Sequence, residues 1–208
     1  MIDAALIVIA KAPVAGRSKT RLTPPCTPEQ AAALAQAALQ DTLAAVLATP
    51  AARRVLVLDG EPGPWLPDGF EVLPQRGDGL EERLAAAFDD VGTAAFLVGM
   101  DTPQLTEAHL ISGLEALHTA PSVFAPAEDG GYWGIGLRAP DPRVFAGVPM
   151  SADDTGDRQR ARLEELGLGV VDLPALLDVD TIEDARTVAR LAPQTRFARA
   201  LEAMALAG

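Results

Sequence analysis

Residues 6–22 read LIVIAKAPVAGRSKTRL, and this stretch changes character in its middle. Residues 6–9 are apolar and mostly β-branched, which is typical of a strand buried on both faces of a parallel sheet. Residues 11–21 hold four cations, one proline and one glycine without a periodic apolar pattern, which predicts a loop. This loop would leave the carboxyl end of the strand, and open α/β sheets bind their ligands at that edge.

The loop is basic in a chain that is otherwise acidic. The chain carries 29 Asp and Glu against 17 Lys and Arg, whereas the loop contains Lys11, Arg17, Lys19 and Arg21. Gly16 would let the main chain approach a ligand closely, so the loop predicts a site for an anion of several charges, such as a nucleotide phosphate chain. A solvated basic turn without a ligand is the alternative.

Two familiar phosphate-binding loops do not match these residues. Ser18 and Pro13 stand where a Walker A loop requires glycine. Gly16 by itself does not make the GxGxxG fingerprint of dinucleotide-binding folds. We therefore exclude both classes.

The composition is that of a soluble globular protein, with 49% hydrophobic and 22% charged residues among 208. The net charge of −12 argues against a nucleic-acid partner, because phosphate backbones are held by many basic side chains. No apolar run has the length of a membrane span and no signal peptide is evident, so we expect a cytoplasmic protein. Cys26 is the single cysteine, which excludes an intrachain disulfide and provides no zinc motif.

Short apolar segments alternate with helical segments along the chain. Residues 54–58 and 94–98 read as further strands, and Thr27, Pro28 and Gln30 mark the start of a helix. This alternation predicts one α/β domain over residues 1–208 with a mostly parallel sheet. The loops that follow the strands would then meet in one crevice.

A second candidate loop follows a predicted strand at residues 70–73 and carries Gln75, Gly77 and Gly79. The glutamine amide is both a donor and an acceptor and could read the edge of a base. The two glycines allow positive φ and the close approach of a ligand. A plain strand-to-helix turn is the alternative.

Carboxylates occur at two points where a metal ion could be held. Asp101 lies just past the most apolar strand, and Asp178 and Asp180 precede a helix that starts at Thr181. Mg²⁺ takes one or two carboxylates together with phosphate oxygens and waters, so Asp101 and Asp180 predict a site for Mg²⁺ or Mn²⁺. The alternative is that the later pair only favours the start of the helix.

Residues 126–134 combine two acids, adjacent glycines and two aromatic residues. Glycine gives access to the main chain and aromatic rings give a stacking wall, so this loop suits a small polar acceptor. The candidate acceptor-binding residues are Asp129, Gly130, Gly131 and Tyr132. A purely structural hairpin is the alternative.

Five segments, taken in order, resemble the motifs of a known bacterial family. They are AKAPVAGRSKTRL, PQRGDGLEER, LVGMDTPQLT, APAEDGGYWGIGL and DVDTIEDA, between residues 10 and 185. The family is the radical-SAM/selenodomain-associated transferases, which have the GT-A fold and are often labelled glycosyltransferases. It is related to molybdenum-cofactor and 2-phospholactate guanylyltransferases.

The resemblance implies a three-layer α/β/α sandwich like that of nucleotide-diphospho-sugar transferases. It assigns nucleotide phosphates to Gly16, Arg17 and Lys19, and the base to Gln75, Gly77 and Gly79. It assigns the metal to Asp101 and Asp180, with Lys19 and Asp101 as the catalytic pair. It assigns acceptor binding to the loop at residues 129–132. Two positions depart from the family pattern. Ile182 stands where relatives usually have proline and affects only the helix start, whereas the Trp133-Gly134 pair makes the identity of the acceptor the item that the resemblance predicts least well.

Three functions remain open from the sequence. The first is nucleotidyl transfer from a nucleoside triphosphate to a small phosphorylated acceptor, favoured by a basic loop able to hold a triphosphate. The second is glycosyl transfer from a nucleotide-diphosphate sugar, and the third is nucleotide binding without turnover. The expected partners are a nucleotide donor and a small acceptor.

Overall fold

The structure is a computed structural model that describes residues 2–150 and 152–204. In these ranges the strands are β1 (Ile2–Lys11), β2 (Ala51–Asp59), β3 (Glu71–Pro74), β4 (Ala95–Val98), β5 (Ser122–Pro126), β6 (Tyr132–Leu137) and β7 (Val170–Asp172). The α-helices are α1 (Pro28–Ala48), α2 (Leu80–Val91), α3 (Glu107–Thr119), α4 (Thr155–Glu165), α5 (Ile182–Leu191) and α6 (Arg196–Glu202).

The strands form one sheet in the order β3-β2-β1-β4-β6-β5-β7. β6 runs antiparallel to β4 and β5, while the other neighbouring pairs are parallel. The predicted α/β fold with a mostly parallel sheet is therefore confirmed. Because β6 is reversed, its amino end lies at the same edge of the sheet as the carboxyl ends of β1 and β4.

The apolar residues of β1 contribute side chains to two hydrophobic cores, one on each face of the sheet. Leu6 and Val8 join residues of α1 and α3 in one core, and Ile7 joins residues of α2 and α4 in the other. Side chains alternate between the faces of a strand, so a continuous apolar run is needed where both faces are covered. Helices on both faces make the three-layer arrangement.

The first helix begins where its capping signals predict. The Thr27 side chain accepts from the Gln30 N–H, and the Gln30 side chain accepts from the Thr27 N–H. Of the described helices, only α1 is long and apolar enough to cross a membrane, and half of its most apolar window is buried inside the protein. Packing against the sheet and α6 accounts for this apolar composition.

A third hydrophobic core lies between α1, α5 and α6. A buried carboxylate of α1 holds the start of α6 in place. Asp41 of α1 accepts from the backbone N–H groups of Arg196 at 2.9 Å and Phe197 at 2.8 Å. These donors lie in the first turn of α6, where N–H groups have no partner within the helix. The contact ties the start of α6 to the middle of α1.

We expect Asp41→Ala to lower the free energy of unfolding by about 2 kcal/mol, because it removes a charged acceptor from two backbone donors, one buried and one partly buried. Urea denaturation followed by circular dichroism measures this loss. Asp68→Ala is the matched control, since Asp68 is exposed in a loop. Equal effects of the two substitutions would contradict the role of Asp41.

Candidate active site

A cavity of about 820 Å³ opens at the edge of the sheet where β1 and β4 end and β6 begins. This volume suits a nucleotide-sized ligand. Most of the residues singled out from the sequence line it: Lys11, Arg17, Lys19, Arg21, Gln75, Asp101, Asp129, Gly131, Tyr132 and Asp180. The sheet topology thus brings together loops that are far apart in the sequence.

Each of the other candidate glycines has a structural role within the protein. A Cβ atom on Gly77, at φ +112°, would lie 2.6 Å from the Glu82 Cβ, and a Cβ atom on Gly130 would overlap the Asp153 carbonyl oxygen. Gly79 is the residue that precedes the first turn of α2. Gly16 adopts φ +74°, so it is needed for the shape of the basic loop.

The basic loop is held in shape by Ser18, which is buried. Its hydroxyl accepts from the Val14 N–H and donates to the Ala12 carbonyl, each at 3.1 Å. The next residue, Lys19, has the left-handed φ of 50° that side chains rarely adopt. This turn directs the Lys19 side chain into the protein, where only 7% of it is exposed.

The Lys19 ammonium bridges two chain segments. It lies 2.5 Å from the Asp101 Oδ1 and also donates to the Val179 carbonyl. The Val179 N–H in turn donates to the Asp101 carbonyl at 2.9 Å, and Gln104 donates to the Leu177 carbonyl at 2.7 Å. These bonds place residues 177–180 against the end of β4.

Asp178 lies in the most unusual electrostatic environment in the cavity. Its Oδ1 is buried and has no hydrogen-bond partner in the part of the chain that the structure describes. The pKa of Asp178 is raised to about 7, first by burial and then by the nearby Asp101 and Asp129, against the opposing effect of Lys19. An unpartnered carboxylate among other carboxylates is suited to bind a cation.

Asp180, which the sequence suggested as the second metal ligand, has a different environment. Its Oδ2 pairs with the Arg21 guanidinium at 2.5 Å, and its side chain is 42% exposed. The geometry therefore favours Asp178 over Asp180 for a metal ion. Both acids precede the same helix and lie two residues apart, so no sequence signal separated them.

The described residues do not gather three His, Cys, Asp or Glu side chains into a metal site. A Mg²⁺ site that is completed by phosphate oxygens and waters needs only one or two carboxylates. Asp101 and Asp178 satisfy that requirement, since Asp178 has a buried oxygen without a partner and Asp101 lies close enough to raise its pKa.

Gln75 lines the cavity, but its amide hydrogens are used within the protein. Its Nε2 donates to the Ala10 carbonyl at 2.8 Å and to the Val57 carbonyl at 3.2 Å. Its Oε1 accepts from Arg83 at 3.4 Å. Gln75 therefore joins the ends of β1 and β2, and Arg83, which the sequence did not single out, lies beside it at the cavity.

The candidate acceptor loop is locked to the start of α4. The Gly156 N–H donates to the Gly130 carbonyl at 2.8 Å, and the Asp129 Oδ1 accepts from the Gly131 N–H at 2.9 Å. The Tyr132 hydroxyl contacts the buried Gln159 side chain at 3.4 Å. Burial raises the pKa of Tyr132, so its phenol stays neutral at physiological pH.

A family model gives the first comparison with known proteins. The model described as "Uncharacterized protein conserved in bacteria (DUF2064)" matches residues 32–152, which is more than half of the chain. The chain belongs to the DUF2064 family. Residues 32–152 include Gln75, Asp101 and the acceptor loop of this DUF2064 protein, whereas the basic loop and Asp178 lie outside the matched range.

Two curated relatives of this chain have the same name as each other. A phosphoenolpyruvate guanylyltransferase from Salinispora arenicola is 34% identical over 183 residues, 84% of this chain and 82% of its own. A phosphoenolpyruvate guanylyltransferase from Streptomyces avermitilis is 34% identical over 204 residues, 92% of each chain. These matches confirm the prediction of a nucleotide-dependent transferase.

A solved structure confirms the fold of the DUF2064 protein. A protein from Desulfovibrio desulfuricans G20, named as a candidate nucleotide-diphospho-sugar transferase, superposes with a TM-score of 0.87 at 26% identity. The superposition covers 97% of this chain and 95% of that one. The likeness confirms the expected nucleotide-diphospho-sugar transferase-like fold. The radical-SAM association that the sequence motifs implied stays a prediction.

We expect Asp178→Asn to stabilise the metal-free protein at pH 8. A pKa that folding raises from about 4 means that wild-type stability is complete below pH 4 and falls as the pH rises to about 7. The variant lacks this titration, so its free energy of unfolding should exceed that of the wild type by an amount that grows from about pH 4 to about pH 7. The largest expected difference is about 4 kcal/mol, which corresponds to three pKa units. Urea denaturation in chelator at pH 5, 6.5 and 8 measures the difference.

Asp180→Asn is the matched control for this measurement, because Asp180 pairs with Arg21 and is partly exposed. It should show no gain that increases with pH. A pH-independent effect of Asp178→Asn, or an equal gain in the control, would contradict the environment described for Asp178.

Proposed function

We propose that this protein transfers a nucleotidyl group from a nucleoside triphosphate to a small phosphorylated acceptor. An oxygen of the acceptor phosphate attacks the α-phosphorus, the bond from that phosphorus to the bridging oxygen breaks, and pyrophosphate leaves. The observation that carries the proposal is the convergence of Lys11, Arg17 and Lys19 with Asp101 on one cavity. The names of the curated relatives support the same reaction.

The cationic wall is suited to a triphosphate. Lys11 and Arg17 line the cavity from the loop that follows β1, and Lys19 lies between that loop and Asp101. In this reaction negative charge increases on the leaving pyrophosphate. Fixed cations next to the leaving group stabilise that charge most effectively when water is partly excluded, and the Lys19 side chain is almost entirely buried.

Asp101 and Asp178 would hold a divalent cation, Mg²⁺ or Mn²⁺, in this cavity. The support is the buried Asp178 oxygen without a partner and the accumulation of carboxylates around it. When bound, such an ion offsets negative charge on the phosphates. The Lys19 ammonium, which pairs with Asp101 in the structure, would also contact a phosphate oxygen of the donor.

The acceptor would lie beside Asp129, Gly131 and Tyr132, which line the side of the cavity formed by the amino end of β6. The bond from Gly156 to the Gly130 carbonyl holds this side rigid. The curated relatives are named for phosphoenolpyruvate and a guanylyl group. We therefore propose a small phosphorylated carboxylic acid as the acceptor class and GTP as the donor.

Glycosyl transfer from a nucleotide-diphosphate sugar is the second candidate. It is favoured by the name of the Desulfovibrio protein that shares the fold over nearly the whole chain. The same phosphate loop and Asp101 would then bind the diphosphate of the sugar donor, and the leaving group would be a nucleoside diphosphate rather than pyrophosphate.

The released product separates these two functions. We expect the purified protein with GTP, phosphoenolpyruvate and Mg²⁺ to release pyrophosphate in a coupled assay and to form a guanylylated acceptor visible by mass spectrometry. Chelator should abolish both signals. Release of GDP from a GDP-sugar, with no pyrophosphate from any triphosphate and any phosphorylated acid, would instead establish glycosyl transfer.

We expect Lys19→Ala to lower the rate of pyrophosphate release by about 100-fold or more, because one preorganised charge at the leaving group is lost. Asp101→Asn should cause a comparable loss. Arg190→Ala is the control, since Arg190 is exposed on α5 away from the cavity. Wild-type rates in Lys19→Ala, with an unchanged melting temperature, would rule out its role.

A further inference from the structure

Asp59, the last residue of β2, and Arg83 of α2 form an ion pair at the edge of the cavity. The Arg83 Nη1 lies 3.3 Å from the Asp59 Oδ2. The same guanidinium donates to the Gln75 Oε1 at 3.4 Å and to the Gly77 carbonyl at 3.2 Å. Neither partner of this ion pair has a role in the proposed transfer step.

Each residue of the ion pair has one polar atom that could bind a ligand. Among residues 2–150 and 152–204, the Arg83 Nη2 and the Asp59 Oδ1 have no hydrogen-bond partner. The two side chains are 26% and 36% exposed. The pair therefore offers a guanidinium donor at the lining of the cavity and a carboxylate acceptor at the lining of a smaller recess next to it.

The pair lies at the boundary between the cavity and a smaller recess. Arg83 lines the large cavity, and Asp59 lines an adjoining recess of about 360 Å³. Lys11 and Arg17 line both spaces. Leu80, whose side chain is exposed at the start of α2, also lines the large cavity and offers an apolar surface to a ring.

We propose that Asp59 and Arg83 together read the base of the nucleotide and select guanine. This inference rests on the proposed function, because it takes a nucleoside triphosphate as the ligand. Guanine carries the O6 acceptor next to the N1–H and N2–H donors. The Arg83 Nη2 donates to O6, and the Asp59 Oδ1 accepts from N1–H and the 2-amino group.

Adenine presents the opposite pattern to the same pair. Its 6-amino group would face the guanidinium with a donor, and its N1 acceptor would face the carboxylate. Matched hydrogen bonds to a base edge discriminate between bases by about 10- to 100-fold, because a mismatch leaves polar groups without partners. The pair therefore excludes adenine as well as attracting guanine.

Gln75 fixes the pair instead of reading the base itself. Its amide hydrogens are bound to the Ala10 and Val57 carbonyls, so its Oε1 is held in place to accept from Arg83. The Gly77 carbonyl holds the other side of the guanidinium. A donor that is held rigidly before the ligand arrives loses less conformational freedom on binding.

The test is calorimetric binding of GTP, ITP, XTP and ATP with Mg²⁺ to the full-length protein. Wild-type protein should bind GTP about 100-fold more tightly than ATP, and about tenfold more tightly than ITP, which lacks the 2-amino group. Asp59→Asn should weaken GTP binding at least tenfold and bind XTP more tightly than GTP. The asparagine amide would donate to the 2-oxo group of xanthine, which the wild-type carboxylate repels.

Arg83→Gln is the second variant, and it should reduce the preference for GTP over ATP about tenfold or more. Two matched controls should keep the wild-type preference. Arg76→Gln removes a cation of the same loop that pairs with Asp90 and lies outside the cavity. Asp68→Asn neutralises an exposed acid of the connection between β2 and β3 that lines neither the cavity nor the recess.

Several outcomes would overturn the assignment. These are a wild-type preference for another base, an equal weakening of all four nucleotides by Asp59→Asn without a gain for XTP, or the XTP gain in Asp68→Asn instead. Tight GTP binding with an unchanged preference in both pair variants refutes this inference alone. Failure of the wild-type protein to bind any triphosphate refutes the proposed function instead.

Discussion

Asp101 is contacted from two directions, by the ammonium of Lys19 and by the backbone N–H of Val179, and the geometry of the cavity depends on this junction. It joins the loop after β1, the end of β4 and the segment before α5, which are separated by many residues in the chain. Val179 is itself fully buried in the core between α1, α5 and α6. The position of the two acids beside it is therefore set by hydrophobic packing.

The junction gathers charges of both signs in a partly enclosed space. Lys19 is almost entirely buried and Asp178 has a buried oxygen without a partner, with Asp101 and Asp129 nearby. Concentrating carboxylates in a site of low solvent access opposes folding, which the raised pKa of Asp178 expresses. The divalent cation proposed for this cavity would supply the compensating charge.

Candidates that line the cavity could be selected from the sequence wherever the signal was local. The basic loop, Asp101 and the residues 129–132 were found because a change of composition after an apolar strand is visible in a short window. The sequence did not show which parts of the protein two of the glycines make room for. Gly77 and Gly130 were predicted to give a ligand access to the main chain, and in the structure they also make room for Glu82 and the Asp153 carbonyl.

Gln75 shows why chemical type alone does not settle a role. A glutamine amide at a strand end can bind a base or can bind the backbone carbonyls of neighbouring strands, and only the sheet order reveals that Ala10 and Val57 occupy its donors. Asp178 and Asp180 show the same limit. They are alike in sequence context, but one has a buried oxygen without a partner and the other pairs with Arg21.

The sequence by itself determined the α/β alternation, the buried central strand and the basic character of the loop that follows it. These features follow from hydrophobic periodicity and local composition, which need only neighbouring residues. The tertiary structure decided which acid is buried, which glycines are structural, and that Asp59 and Arg83 meet. Those outcomes depend on the order of the strands, which places residues from separate strands and helices at the same edge of one sheet.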